Sequence, residues 1–487
     1  MNKHRLSMQT NRSSAAVGVL AAAGITVSLM QTLVVPLIPA LPHLLHTTTA
    51  NASWTITATL LAGAVATPVF GRLGDLYGKR RLLLVSIALL VLGSLVCAVS
   101  TSLAPMVVGR ALQGMGMSVV PLGISLMRDI LPPERLGSAL GLMSSSLGVG
   151  AALGLPAAAL IAQHADWHVL FWGAAGLSVI MALLVRFLVP ASPVTTARGF
   201  DVIGALGVAA GLVCLLLPIS KGADWGWTSP TTLGLFAAAI VVLIGWGWWE
   251  LRTPAPLVDL RTCVRRQVLM TNLASVIVGF SMYAMSLIAP QLLALPKETG
   301  YGLGQSMTAA GLWMLPSGLV MMAVSPYAAR LSAARGPKAS LLVGAVIIAA
   351  GYALAPPLMG HLWGVLLFTS VVSAGIGLAY AAVPTLIMSA VPVDETAAAN
   401  GLNSLMRSIG TSTSSAVVGL VLAHMATRMG PVAIPSESGF RTGFVLGAAG
   451  AVAAALVTLC IPGRRGAAAQ PSTEPEPAPL MLARSDR

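Results

Sequence analysis

The chain has 487 residues, 56% hydrophobic and 9% charged, against about 25% charged in an ordinary soluble domain. A soluble fold of this size has no way to hide so much apolar surface, so the composition points to an all-α polytopic membrane protein with the lipid bilayer as its surroundings. The formal charge of +13 does not imply nucleic acid as a partner, because the cations fall in short segments between apolar runs rather than on one basic face.

Apolar runs long enough to span a membrane are read at 17–41, 53–70, 82–100, 104–126, 138–161, 168–189, 202–220, 231–249, 268–294, 306–328, 339–357, 362–389, 398–424 and 440–461. The cut before 398 rests on Val391-Pro392-Val393-Asp394-Glu395, where proline and two acids interrupt the run. The first run continues for a full span without a convincing cleavage site, so no cleavable signal peptide is expected. With the N-terminus inside, only Lys221, Lys297, Arg428 and Arg441 fall in outer segments, and only Arg110 and Arg407 within spans; the other 22 of the 28 Lys and Arg are cytoplasmic. Such a bias predicts a multi-pass protein of the plasma (inner) membrane with both termini in the cytoplasm. Cys97, Cys214, Cys263 and Cys460 are scattered without a CxxC pair, so they are read as thiols and no metal site is expected.

In the first span, Gln31 cannot carry a proton; it is read as a hydrogen-bonder to a cargo or as an interhelical tie. No Asp or Glu lies in the middle of any of the first six spans. The stretch Gly71-Arg72-Leu73-Gly74-Asp75-Leu76-Tyr77-Gly78-Lys79-Arg80-Arg81 is expected to be a short cytoplasmic loop, with Asp75 pairing with a cation or capping a helix end. Gly78-Lys79 is no P-loop, since Leu73 and Arg80 stand where glycine and Ser/Thr are required. Energy must then come from an ion gradient, or from nothing at all.

Arg110 lies within the fourth span beside Gln113, at a cost unless it faces protein or water, and is read either as a functional group or as a structural arginine held by backbone carbonyls or by Gln113. Gly141, Gly148, Gly150, Gly154 and Pro156 stud the fifth, where small residues permit close packing and proline a bend. Asp201 and Glu250, at the cytoplasmic ends of the seventh and eighth, are expected to pair with nearby arginines, with proton carriage as the alternative. Asn400, Asn403 and Arg407 follow i, i+3, i+7 on one helical face, which in lipid must point inward, toward a cavity or into a structural network. Asn272 is a further cavity candidate.

The two ends of the chain look like copies. Ala329–Lys338 mirrors the Gly71 stretch with a shift of 258, Gly114-x-Gly116 matches Gly375-x-Gly377 at 261, and Ser138–Leu142 echoes Ala398–Leu402 at 260. This predicts two parallel six-helix bundles, 17–190 and 267–462, with helices 7 and 8 (201–250) inserted between them. Residues 1–16 form a cytoplasmic N-terminus, and the Ala/Pro/Glu-rich tail 463–487 reads as disordered.

The Gly71 stretch resembles the loop between helices 2 and 3 of the major facilitator superfamily, G-x-L-x-D-x-x-G-[RK]-[RK]. Arg110–Gly116 resembles that family's R-x-x-Q-G-x-G, whose arginine is associated with proton transfer. Asn400–Gly410 resembles its N-x-x-R-x-x-G segment. Gly154-Leu155-Pro156-Ala157-Ala158 is similar to the antiporter signature G-P-x-x-G-G, with the proline one place late and alanines for the last glycines. Gln31 stands where many relatives have an acid. With fourteen runs, the resemblance is to the drug/proton antiporter branch and implies the major facilitator fold and export of hydrophobic drugs or secondary metabolites in exchange for protons. It implies gating by Gly71, Asp75, Gly78, Lys79, Arg80, Gly154 and Pro156, and proton coupling through Arg110. The expected substrate cavity is formed by Gln31, Gln113, Asn272, Asn400, Asn403 and Arg407. A proton-coupled uptake symporter and a non-transporting sensor stay open as alternatives. No nucleophile–base pair is apparent, so no enzyme, no catalytic residue and no cofactor is expected, and the chain is expected to act as a monomer.

Overall fold

The computed structural model describes residues 2–37, 40–191, 199–429 and 432–462; the predicted disordered tail and Arg198 lie outside them. Fourteen helices among these residues are long and apolar enough to cross a membrane. They are α1 (Ser14–Thr32), α2 (Trp54–Tyr77), α3 (Lys79–Ala98), α4 (Leu103–Ile130), α5 (Glu134–His164), α6 (His168–Leu188), α7 (Val202–Trp225), α8 (Pro230–Arg252), α9 (Arg266–Ala294), α10 (Met307–Arg335), α11 (Pro337–Leu358), α12 (Leu362–Met388), α13 (Val393–His424) and α14 (Glu437–Leu459). Helices are the natural solution, because each satisfies its backbone hydrogen bonds internally where no water is at hand. A hairpin of β1 (Ala426–Met429) and β2 (Val432–Pro435), antiparallel with Thr427 opposite Ile434, joins α13 to α14; hydropathy gives no hint of it.

Two boundaries depart from the sequence reading. The first helix stops at Thr32 rather than 41, where a 3-10 turn (Val35–Leu37) and a short helix (Leu41–Leu44) follow; Pro36 and Pro42 each remove a donor that a continuing helix would need. The expected cytoplasmic loop is not a loop. Gly71 to Tyr77 complete α2, Lys79 opens α3, and Gly78 alone turns the chain at φ 100°. That backbone region is open to glycine at little cost. The charges are accommodated because they turn inward: Arg72, Asp75 and Lys79 are all buried.

The repeat is visible in the coordinates. Gly336, at φ 87°, is the single residue between α10 and α11, 258 positions after Gly78. Arg80 donates to the carbonyl of Arg186 at the end of α6, and Lys338, again 258 later, donates to Leu459 O (2.8 Å) and Ile461 O (2.5 Å) at the end of α14. Each cation meets the negative end of a helix dipole.

Buried apolar side chains gather into two large clusters, one drawn almost wholly from Ala16 to Val189 and one from Val268 to Ile461. A smaller cluster joins Ala64 of α2, Val208, Leu212 and Leu216 of α7, Leu257 and Val258 of the α8–α9 connection, and Leu405 of α13. Helix α7 thus lies on both halves. Helix α8 packs chiefly on α7, and its buried residues are only Thr232, Ala239 and Glu250. Lys221, expected in an outer segment, is instead within α7, four residues before its end, and 1% exposed. It donates to Ser53 and Asp224 (3.1 Å) and sits 5.1 Å over the Trp54 ring, which fastens α7 to the start of α2.

Candidate functional site

The two halves meet most closely where α2 ends and α13 begins. Residues 396–424 start a regular α-helix whose first amides have no partner of their own. Asp75, from the other half, supplies it: Oδ1 accepts from Ala397 N at 3.2 Å and Oδ2 from Ala398 N at 2.9 Å. An N-cap is normally a neighbour in sequence; here it is 322 residues away. A Cβ placed on Gly71 would stand 2.6 Å from Ala397 O, and one on Gly401 would stand 2.8 Å from Thr67 O, so both glycines are required by the approach itself. Lys79 is 3.7 Å from Asp75 and donates to Asp129 at 2.9 Å. Arg128 donates to Thr396 Oγ1 at 2.7 Å, a second tie across the seam.

The halves also meet along α5 and α10. A Cβ on Gly318 would reach Gly148 O at 2.8 Å, and Ser145 Oγ donates to Met321 O at 3.1 Å. Gly154 packs against Thr32 and Leu29 of α1, while Pro156 packs against Gly311 of α10. The space around both is taken up by neighbouring helices.

Between the halves lies a cavity of about 20 Å³, room for roughly one water. Val120, Ile124, Leu147 and Val383 make it apolar; Tyr380, Asn400, Asn403 and Arg407 give it its polar groups. Arg407 donates to Ser404 Oγ at 2.7 Å and lies 5.3 Å from the Tyr380 ring centre. Asn403 Nδ2 donates to Asn272 Oδ1 (2.9 Å) and Ser275 Oγ (2.8 Å), so Asn272 stands behind the lining and ties α9 to α13. Asn400 donates to its own helix at Thr396 O, 2.9 Å. Of the six cavity candidates, three line this space and Asn272 supports it. Gln31 and Gln113 do not line it. Gln31 is half-buried with no side-chain hydrogen bond among the described residues. Tyr380, which closes one wall, lies within an unbroken apolar run and carried no signal in the sequence.

Arg110 is 2% exposed. Nε donates to Thr55 O at 3.2 Å, and Nη1 to Met30 O at 3.1 Å and Gln113 Oε1 at 2.7 Å; Gln113 in turn donates to Ser94 at 2.8 Å. One guanidinium thus ties α1, α2 and α4 together, using five-donor geometry that suits carbonyls as well as carboxylates. No salt bridge to Arg110 occurs among the described residues.

Among the described residues neither Asp201 nor Glu250 pairs with an arginine; Arg198, near Asp201 in sequence, lies outside them. Asp201 caps α7 at Gly204 N (2.8 Å) and accepts from the Trp249 indole at 3.1 Å. Two arginines of that end are engaged elsewhere: Arg252 stacks 3.9 Å from the Trp248 ring, and Arg261 donates to Leu251 O at 3.1 Å. Glu250, 2% exposed, borders a second cavity of about 290 Å³ with Arg72, the 253–263 connection and the start of α13. Burial pushes the nearby Cys263 thiol up to about 12, so it is no nucleophile at neutral pH. At the opposite end, hydrogen bonds from the His168 backbone and side chain hold the Asp166 carboxyl below its ordinary range. No group of three His, Cys, Asp or Glu that could hold a metal ion occurs among the described residues.

The family model described as Major Facilitator Superfamily matches residues 20–415. The chain is similar to the tetracenomycin C resistance and export protein of Streptomyces glaucescens, 31% identical over 86% of this chain and 76% of that one. It is also similar to the multidrug resistance protein Stp of Mycobacterium tuberculosis, 28% identical over 76% of this chain and 68% of that protein. Among solved structures, the human organic anion transporter MFSD10 superposes with a TM-score of 0.67 at 14% identity, covering 92% of this chain and 99% of that one; at that identity the likeness is one of fold.

Proposed function

This chain belongs to the Major Facilitator Superfamily of transporters, and from that premise we propose that it exports hydrophobic small molecules, drugs or secondary metabolites, by proton antiport with alternating access. The observation that carries this reading is the cap of Asp75 on the amides of Ala397 and Ala398. It is a bond between halves, made from groups that can part without unfolding either half. In this reading the bundles are 17–190 and 267–462 with 201–250 inserted, both termini are cytoplasmic in the plasma membrane, and the state described is closed at its cytoplasmic end. Gly71, Asp75, Gly78, Lys79 and Arg80 then form the inner gate. Gly154 and Pro156 set how α5 slides between α1 and α10. Arg110 serves coupling as a positioning residue, holding α1, α2 and α4 as one moving body.

The cavity lining mixes apolar with neutral polar side chains and carries one cation and no acid, a poor selector for cationic drugs. The cargo class is supported by relatives named for tetracenomycin C export and multidrug resistance. Tetracenomycin C is a suitable probe. Inside-out vesicles with an acid lumen are expected to accumulate it, and a protonophore to abolish the accumulation. Accumulation only in right-side-out vesicles with acid outside would overturn export in favour of uptake. Tyr77, 54% exposed at the inner gate, gives the orientation test: Tyr77→Cys is expected to react with an impermeant maleimide from the cytoplasmic side, and reaction from the other side would invert the assignment.

A further inference from the structure

Of the acids among the described residues, only Asp75 and Glu250 are buried. Asp75 has Lys79 and two backbone amides. Among the described residues Glu250 has no ion pair, and neither carboxyl oxygen completes a hydrogen bond, although the N–H groups of Leu257, Val258 and the Trp246 indole lie around it. It is also the one buried ionisable group on a helix that otherwise shows its sides to lipid.

The groups facing Glu250 come from four directions. From the start of α7 comes Asp201; the two carboxylates converge on Gly204, where a Cβ would lie 2.6 Å from Glu250 Oε1. From α2 comes Arg72, 6% exposed, whose Nε has no hydrogen-bond partner. From the connection come Asp259, occupied in capping residues 260–263, together with Arg261 and Cys263. From the start of α13 comes Glu395, and Arg252 lies on α8 itself. All but Asp201 border the 290 Å³ cavity.

A carboxylate buried without a cation costs several kcal/mol, and a second carboxylate at the same glycine adds repulsion. A proton is the smallest group that removes both costs. We propose that Glu250 is a proton-binding site of this transporter: it holds a proton in the closed state described here and yields it to cavity water when α13 parts from α2. The proton passes between a Glu250 carboxyl oxygen and water, and no other bond forms or breaks. The link to the gate is geometric. Arg72 lies one turn before Asp75 on α2, and Glu395 lies two residues before Ala397 on α13, so parting the seam opens the cavity wall and hydrates Glu250. This inference rests on the proton-antiport reading, and the inserted pair gains a task in it beyond filling space.

The test uses the purified full chain in lipid. Infrared difference spectra between acid and alkaline pH are expected to show a protonated carboxyl band that Glu250→Gln removes and Glu250→Asp restores; identical spectra for wild type and Glu250→Gln would overturn the site. In inside-out vesicles, Glu250→Gln is expected to lose accumulation of tetracenomycin C driven by a pH gradient while keeping wild-type exchange of the probe down its own gradient, which shows that the variant is folded. Gradient-driven accumulation at the wild-type level in Glu250→Gln overturns the coupling role. A wild-type protein that ignores the pH gradient overturns proton antiport itself, and the infrared result still judges the site.

Discussion

Replacing Asp75 separates its two properties, acceptor geometry and charge. Asp75 uses one oxygen for each amide, so Asp75→Asn keeps one of the two acceptors, turns an NH2 donor toward the other amide and loses the charge at the positive end of α13, together a loss of about 1.5–2 kcal/mol. Lys79 is not orphaned by either change, because Asp129 remains at 2.9 Å. Asp75→Ala leaves the amides of Ala397 and Ala398 without acceptors inside a seam where both residues are buried, costing about 2–3 kcal/mol in the closed state. When the halves part, water satisfies the same amides, so the loss appears as a shift toward the open state. At tenfold per 1.4 kcal/mol, Asn raises the open population about twelve- to thirtyfold and Ala about thirty- to a hundredfold. The reporter is Ser144→Cys, on the wall of the central cavity, in a chain with its four native cysteines changed to serine. Its rate of reaction with maleimide applied from the cytoplasmic face follows the open population. Equal rates for wild type and Asp75→Ala would refute the cap as the closing device. Equal, large effects of Asn and Ala would show that the charge and not the cap matters.

Removing Arg110 takes the donor from Met30 O and Gln113 Oε1, while Thr55 O keeps Thr59 Oγ1 at 3.0 Å; Arg110→Ala is expected to lower stability by about 2–3 kcal/mol, read as a fall in melting temperature in detergent. An unchanged melting temperature would refute the positioning role. Gly318→Val puts two extra methyls where a Cβ alone meets Gly148 O at 2.8 Å. Overpacking of about 1–3 kcal/mol at the seam between α5 and α10 should slow transport more than it lowers stability, and wild-type turnover would show that this seam does not stay closed during the cycle. Gly336→Ala forces a φ of 87° on a residue with a Cβ, a cost of about 1 kcal/mol, measurable as a small drop in melting temperature.

Much of this molecule was legible in its residues because the relevant physics is local. A membrane helix satisfies its own backbone, so composition alone marks fourteen crossings. The reversal at Gly78 and its counterpart at Gly336 were marked by the shift of 258 between their stretches, although the loop read around Gly78 shrank to one residue because its charges find buried partners. What the tertiary structure alone decided is which groups meet. Hydropathy tells a helix which face to bury but not which neighbour will cover it. Asp75 was readable as a capping residue, but not the helix it caps, 322 positions on. Arg110 was visible as an anomaly, but not that carbonyls of α1 and α2 surround it. Glu250 looked like any acid at a helix end; only the fold of α7 and of the connection around it leaves that carboxyl buried without a cation.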